Sequence, residues 1–464
     1  MKAQLSLLTL CLLLGACASP APRPDSGVTA PVAWQSPHSP STAQSNRQWW
    51  TQFGSPQLNR LIEQAQVGSF DLAAAVARVR QAQASTVIAG GSQLPEIKAG
   101  TNANRQKLLR GNGYSQLDVD NNDKAVDYFD ANLSASYEID FWGGQRASRD
   151  SAKFALKASE FDQATVELTL LSGVANSYAQ ALSLREQKRI AELNLANAQS
   201  VLKLVQTRFD SGSATALELA QQKSLVAAQQ RQLPTVQQQA QDALISLAAL
   251  LGLPVQELAT IDESFDQLQW PVIGTGVPSE LLSRRPDIAR AEAQLAAAQA
   301  DVTVARAAML PAVTLGASLG SGSNIAAELL RSPFYNLTAG LAAPIFNNGR
   351  LGAERDKATA RQAELLEIYR GAIINGFADV EKALNSIDGL DQQRRWQSEE
   401  LSQAQTAFNI AQNRYQEGAE DLLTVLETQR TLYAAQDLNV QLRLSRLQAS
   451  IALYKALGGG WQAL

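Results

Sequence analysis

LANAQSVLKLVQTRFDSG, residues 195–212, and LSQAQTAFNIAQNRYQEG, residues 401–418, decide the fold. In the first, Leu195, Ala198, Leu202, Val205 and Phe209 step three and four residues at a time. In the second, Leu401, Ala404, Phe408, Ala411 and Tyr415 repeat those steps. A 3-4 spacing of apolar residues is the seam of a coiled coil. Each stretch ends in Arg-aromatic-x-x-Gly, where Gly212 or Gly418 turns the chain back. The return helices carry seams at Val236, Ala240, Ala243, Leu247 and Leu250, and at Val440, Leu444, Leu447, Ile451 and Tyr454. Proline lacks the N–H that a helix interior needs, so Pro234 predicts a kink in the first return helix.

Upstream of the first tip, Gln145 to Phe209 holds no proline and one glycine, Gly173. At ~1.5 Å per residue such a helix is roughly 97 Å long. The match between the two tips is part of a longer duplication. Asp71-Leu72-Ala73 corresponds to Asp287-Ile288-Ala289, and Leu94-Pro95 to Leu310-Pro311. Between them, at the same offset, Val79 meets Leu295, Gln83 meets Gln299 and Ala84 meets Ala300. Matches held at one offset point to two copies of one unit, each of about 200 residues. The predicted repeats are 48–254 and 278–461, joined by a connector 255–277 and followed by a short tail, 462–464. Each repeat reads helix, strand, strand, very long helix, turn, helix. Ser55-Pro56 opens the first helix as N-cap and first helical proline. That helix is predicted to run to about Ala89, stopped by Gly90-Gly91. Pro286 opens its counterpart.

The strands show in the alternation. Phe129, Ala131, Leu133, Ala135, Tyr137 and Ile139 alternate with Asp130, Asn132, Ser134, Ser136, Glu138 and Asp140. Val313, Leu315, Ala317 and Leu319 alternate with Thr314, Gly316, Ser318 and Gly320. Period two gives one apolar and one polar face. Strands of about ten residues are long enough to cross a bilayer when tilted.

The N-terminus reads as an export signal, residues 1–16. Lys2 supplies the charge, and Leu5 to Leu14 is a short apolar core. Leu14-Gly15-Ala16-Cys17 resembles the lipoprotein cleavage box, which implies diacylglycerol on Cys17. Ala18 after the Cys favours the outer membrane. Residues 17–47, rich in Pro, Ser and Ala, read as an extended tether. Cys11 leaves with the signal, so the mature chain keeps one Cys and one His, His38. That nearly excludes a His-based metal site or a catalytic triad. Gly90-Gly91 and Gly458-Gly459-Gly460 lack the residues of a phosphate-binding loop. Paired carboxylates such as Glu399-Glu400 fall on a solvated helix face. No enzyme activity and no cofactor are expected. A net charge of −4 offers no footprint for nucleic acid.

Strands and long helices together imply a duct. Four strands cannot close a transmembrane barrel, whose smallest members have about eight. An open edge in lipid costs several kcal/mol per unpaired group, so copies must associate. Arg185, Glu186, Lys188 and Arg189 keep the long helices out of the bilayer.

Trp49-Trp50…Phe53, Arg284-Arg285-Pro286-Asp287-Ile288, Pro344-Ile345-Phe346-Asn347, Arg414-Tyr415-Gln416-Glu417-Gly418 and Leu457-Gly458-Gly459-Gly460-Trp461 occur in that order. With them, essentially the whole mature chain resembles the TolC/OprM outer-membrane factors, of the NodT lipoprotein type. The resemblance implies a mainly α, α+β fold. Duplicated coiled-coil hairpins would form a trimeric α-barrel, and four strands per chain would join a shared transmembrane β-barrel. It implies a homotrimer, a periplasmic adaptor and an inner-membrane transporter of the RND type. Docking tips carried over are Arg208, Phe209, Asp210, Ser211, Gly212 and Ser213, and Arg414, Gln416, Glu417, Gly418 and Ala419. The periplasmic aperture carried over is Tyr415, Glu420, Thr424, Glu427 and Glu218. Glu420 stands where the family has a basic gate residue, which departs from the usual Tyr–Arg–Asp latch. The implied function is a passive duct for drug-like molecules, opened by adaptor contact. Protein secretion and metal efflux use the same scaffold, and a passive coiled-coil tether is the reading from another class.

Overall fold

The computed structural model describes residues 25–36, 47–107, 125–271 and 273–462. The signal peptide, Cys17, His38 and much of the tether lie outside them. Two helices, α1 (Pro56–Gly68) and α2 (Phe70–Gly91), precede strands β1 (Glu96–Lys107) and β2 (Ala125–Ile139). The first long hairpin is α3 (Gly144–Asp210) and α4 (Ala216–Leu250). The second copy runs α5 (Pro286–Ala307), β3 (Ala312–Ser323), β4 (Pro333–Ala342), α6 (Arg350–Gln416) and α7 (Leu422–Ala456). Both long helices have 67 residues and both return helices 35, so the duplication holds at the level of elements. The fold is mainly α with four antiparallel strands.

Met1–Val28, Ile88–Phe154 and Glu292–Arg370 form one compact unit, and Thr29–Val87, Ala155–Ala291 and Gly371–Leu464 form the other. Each unit draws on both repeats.

The first unit holds the sheet, in the order β1-β2-β3-β4. Directly paired residues share a face. Pairing sets Ile97 beside Ala135, Ala135 beside Ala317 and Ala317 beside Leu337. It also sets Leu133 beside Leu319 and Leu319 beside Tyr335. The alternation of each strand therefore merges into one continuous apolar face, with Tyr137, Ile139, Val313, Leu315 and Leu341 upon it. Asn132, Ser134, Ser136, Ser318, Asn336 and Thr338 occupy the other face. The outer edges of β1 and β4 have no partner strand among the described residues.

The second unit is a helical core. Trp49 stacks on Tyr454 at 5.1 Å and packs edge-on against Trp50 and Phe53. The Trp-Trp motif is thus a core element. Arg285 forks onto Asp287 at 2.7 and 2.9 Å and reaches Asp379 at 3.0 Å. It thereby ties the start of α5 to α6. The connector is pinned by Glu263, whose carboxylate accepts from Ser55 Oγ, from Gln57 N–H at 2.9 Å and from Tyr178 OH at 2.8 Å. Burial pushes the Glu263 carboxyl up, but these donors outweigh it and hold the carboxyl below the ordinary carboxylate value. Trp270 of the connector lies under two guanidinium groups, Arg394 at 3.9 Å and Arg443 at 4.4 Å.

Two expectations change. The single helix from Pro56 to Ala89 is two helices, broken at Ser69, whose backbone is extended. The cause is tertiary: a Cβ on Gly68 would run into the Leu251 carbonyl, and one on Gly252 into the Gly68 carbonyl. Two backbones cross there, and α1 ends at the crossing. Pro234, where a kink is predicted, does not end the helix, which runs from Ala216 to Leu250. Phe209 leaves the seam. Towards the tip, the fully buried row of α3 is Ala198, Val201 and Val205, whereas Phe209 is 37% exposed. The second seam keeps its predicted register, with Ala404, Phe408, Ala411 and Tyr415 all buried.

Candidate functional site: the hairpin tips

Both tips use one turn. Gly212 has φ 75° and Gly418 φ 77°, the left-handed region that glycine enters without a Cβ penalty. Ser213 N–H donates to Arg208 O at 2.7 Å and Gly212 N–H to Phe209 O at 2.9 Å. Ala419 N–H donates to Arg414 O at 2.8 Å and Gly418 N–H to Tyr415 O at 3.1 Å. This pair of bonds closes a helix C-terminus by satisfying its last carbonyls. The return helices start with matched caps. Thr215 Oγ1 accepts from Glu218 N–H at 3.2 Å while Glu218 Oε2 accepts from Thr215 N–H at 2.5 Å. Asp421 Oδ1 accepts from Thr424 N–H and from Thr424 Oγ1, both at 2.9 Å. Glu218 and Thr424, carried over as aperture residues, are thus equivalent third positions whose side chains are engaged in capping. The sequence reading missed Thr215 and Asp421, although Thr215-x-x-Glu218 is a capping-box signal.

The tips differ in what they do to each other. Arg208 lies over the Tyr415 ring at 4.5 Å, and its Nη1 donates to Tyr415 O at 2.7 Å. One tip therefore clasps the other within a single chain. Tyr415 is 2% exposed, packed with Val205, Phe408, Leu422 and Val425 in a core shared by both hairpins. Its hydroxyl is buried and has no hydrogen-bond partner among the described residues. Burial raises the Tyr415 pKa; Arg208 opposes that and Glu218 reinforces it. Tyr415, expected at the aperture, is within the chain the buried half of this clasp.

Arg414 points the other way. Its Nη2 donates to Ala419 O at 3.4 Å, and its Nε pairs with Glu420 Oε2 at 3.5 Å. Glu420 thus belongs to its own tip's turn, and Thr424 Oγ1 lies 3.4 Å from it. Asp210 accepts from Gln206 Nε2 at 2.8 Å, and Ser211 Oγ donates to Arg208 O at 3.0 Å. Gln416, Glu417 and Glu427 are exposed. The outward surface of the tips is therefore Phe209, Asp210, Ser211, Gln416 and Glu417, an aromatic ring among acidic and amide groups.

The family described as outer membrane efflux protein matches residues 61–253 and 277–459. The chain belongs to that family. It is an outer-membrane efflux channel. The channel is 65% identical over 461 residues to the pyoverdine export outer membrane protein OpmQ of Pseudomonas aeruginosa, spanning 99% of this chain and 97% of that one. It is 30% identical over 468 residues to the probable outer membrane lipoprotein SilC of Salmonella typhimurium, spanning 98% of each. Among solved structures, the outer-membrane channel OprN matches with a TM-score of 0.88 at 26% identity, over 96% of this channel and 99% of that chain.

Proposed function

We propose that the channel is the outer-membrane outlet of a tripartite pump that exports pyoverdine. The carrying observation is the 65% identity to OpmQ, sustained over 99% of the chain. The drug-like cargo expected from the resemblance gives way to this more specific one. The test is exchange of genes. Pseudomonas aeruginosa lacking its own OpmQ receives this channel, and pyoverdine is measured in the medium and in the periplasm. Restored export supports the reading. Pyoverdine retained in the periplasm, with normal amounts of channel in the outer membrane, overturns it.

The assembly is a homotrimer. The four-stranded sheet with two unpaired edges supports this, since a lone edge in lipid costs several kcal/mol per group. A periplasmic adaptor docks on the exposed tip residues Phe209, Asp210, Ser211, Gln416 and Glu417, and an inner-membrane transporter lies beyond it. Glu427 faces the aperture, where three copies concentrate negative potential. Cys17 carries the lipid anchor, supported by Leu14-Gly15-Ala16-Cys17 and by the lipoprotein name of SilC. Cys17→Ser abolishes acyl labelling on this reading, and undiminished labelling contradicts it.

A further inference from the structure

The two hairpins are copies at one fixed offset. Gly144 and Arg350 start the long helices, Asp210 and Gln416 end them, and Ala216 and Leu422 start the return helices. Residues at that offset are equivalent, so they do the same work unless their surroundings differ. Near the tips the surroundings differ in a regular way.

Residues seven apart share a helix face. One face carries the aromatic residue: Leu202 and Phe209 in α3, Phe408 and Tyr415 in α6. The neighbouring face carries the arginine: Val201 and Arg208 in α3, Ala407 and Arg414 in α6. Within the chain, the arginine face of α3 packs with the aromatic face of α6. Val201, Phe408 and Tyr415 are buried in one core, and Arg208 lies over the Tyr415 ring. The other two faces stay open. Ala407 and Arg414 are exposed, Leu202 is partly exposed, and Phe209 is 37% exposed against 2% for Tyr415. The contact uses one face of each kind, and one of each kind is left over. Each leftover face is the one its helix does not turn towards the other hairpin, so the two cannot meet within one chain.

The backbone distinguishes the two tips in the same sense. Tyr415 O accepts twice, from Gly418 N–H at 3.1 Å and from Arg208 Nη1 at 2.7 Å. Phe209 O accepts from Gly212 N–H at 2.9 Å, and no side chain of the described residues reaches it. A carbonyl oxygen has a second lone pair, so Phe209 O can take another donor. Arg414 can supply one. In its own tip it makes a bond of 3.4 Å to Ala419 O and a pair of 3.5 Å with Glu420, both long, and a guanidinium has N–H donors to spare. Asp210 follows Phe209 where neutral Gln416 follows Tyr415, so an arriving cation also finds a carboxylate nearby.

We propose that Arg414 of one copy clasps Phe209 of the next copy, with its guanidinium over the ring and on the carbonyl, as Arg208 clasps Tyr415 within each chain. This rests on the homotrimer reading. A head-to-tail contact of unlike faces closes into a ring when its rotation closes. In the trimer, clasps within chains then alternate with clasps between chains around the tips. Phe209 keeps the 3-4 rhythm of its seam because a second copy fills that face. With Phe209 engaged there, Ser211, Gln416 and Glu417 remain for the adaptor.

The test uses the full channel purified without any adaptor. Phe209→Cys and Arg414→Cys are placed on separate chains with different affinity tags, co-expressed, and bridged by a short bismaleimide. Arg208→Cys with Tyr415→Cys on one chain is the control pair, and the parent treated alike reports any reaction of the native cysteine. The mixed channel yields a two-chain product carrying both tags, at least roughly tenfold above either variant alone, because only a linker that spans its sites has an appreciable effective concentration. The control pair bridges within one chain. Absence of the two-chain product while the control pair bridges overturns the clasp. Light scattering on the same sample separates the two readings: the mass of three chains without that product overturns the clasp alone, and the mass of one chain overturns the homotrimer reading. Arg414→Met gives a readout that needs no cysteine. Among the described residues Arg414 bonds only its own tip, so any effect on residues 205–215 comes from the next copy. Amide exchange over 205–215 accelerates roughly tenfold, as loss of one hydrogen bond from a charged donor does to a local opening. Unchanged exchange there overturns the clasp.

Discussion

Replacing Arg208 by Met keeps the aliphatic stem and removes the charge, so it isolates the clasp between the tips. Two contacts go. A hydrogen bond from a charged donor is worth ~1.5–3 kcal/mol. A cation–π contact at a half-exposed site adds about 0.5–1 kcal/mol. Arg208 is part-exposed, which screens both, so the clasp is worth about 2 kcal/mol per chain. Tip amides exchange with solvent by local opening, and the free energy of that opening falls by the same amount. Exchange at Ser213 and Ala419, the amides that close the two turns, then accelerates by roughly 30-fold, at tenfold per 1.4 kcal/mol. Hydrogen–deuterium exchange of the purified channel, read by mass spectrometry over residues 205–215 and 411–421, measures it. Unchanged exchange at both tips refutes the clasp. Tyr415→Phe is the companion variant. Removing a buried hydroxyl that has no partner costs little or stabilises, so this variant exchanges as the parent does. If Tyr415→Phe instead opens the tips, the hydroxyl is bonded across the trimer and the buried-clasp account fails.

Glu263 predicts a pH dependence. Its folded pKa lies below the ordinary value of 4.5, so its contribution is fully present above that value and fades as the pH falls through the folded pKa. Thermal stability of the parent drops on acidification below 4.5, and Glu263→Gln, less stable at neutral pH, loses less over that window; parallel curves contradict the assignment. Glu427→Ala weakens block by multivalent cations from the periplasmic side, as removal of an acidic ring does in a pore. Equal block in planar-bilayer recordings would take Glu427 off the aperture.

Much of this fold is legible because its signals are local. The alternation from Phe129 to Ile139 reports one strand's two faces, and pairing carries it across the sheet. The glycine turns are legible because a left-handed residue ends a helix whatever surrounds it. The break at Ser69 is hidden for the opposite reason: it depends on Gly68 meeting Gly252, far apart in sequence. The seam of α3 misleads by one position. Phe209 continues the 3-4 rhythm, but Arg208 takes the inward place by its contact with Tyr415 of the other repeat. Glu218 and Thr424 each stand six residues after a tip glycine and are the third residues of capped helix starts. Their caps depend on Thr215 and Asp421, which that spacing does not name. The docking of the connector through Glu263 and Trp270 has no periodic signature, so the sequence shows 255–277 only as a connector between the repeats.

The claim on which the account turns is that one chain supplies only part of a barrel. The mass of the purified, detergent-solubilised channel, by light scattering with the detergent contribution subtracted, tests it directly. The expected result is the protein mass of three chains in a single species. A folded, monodisperse species with the mass of one chain contradicts it, because a four-stranded sheet with two open edges would then have to stand alone in lipid.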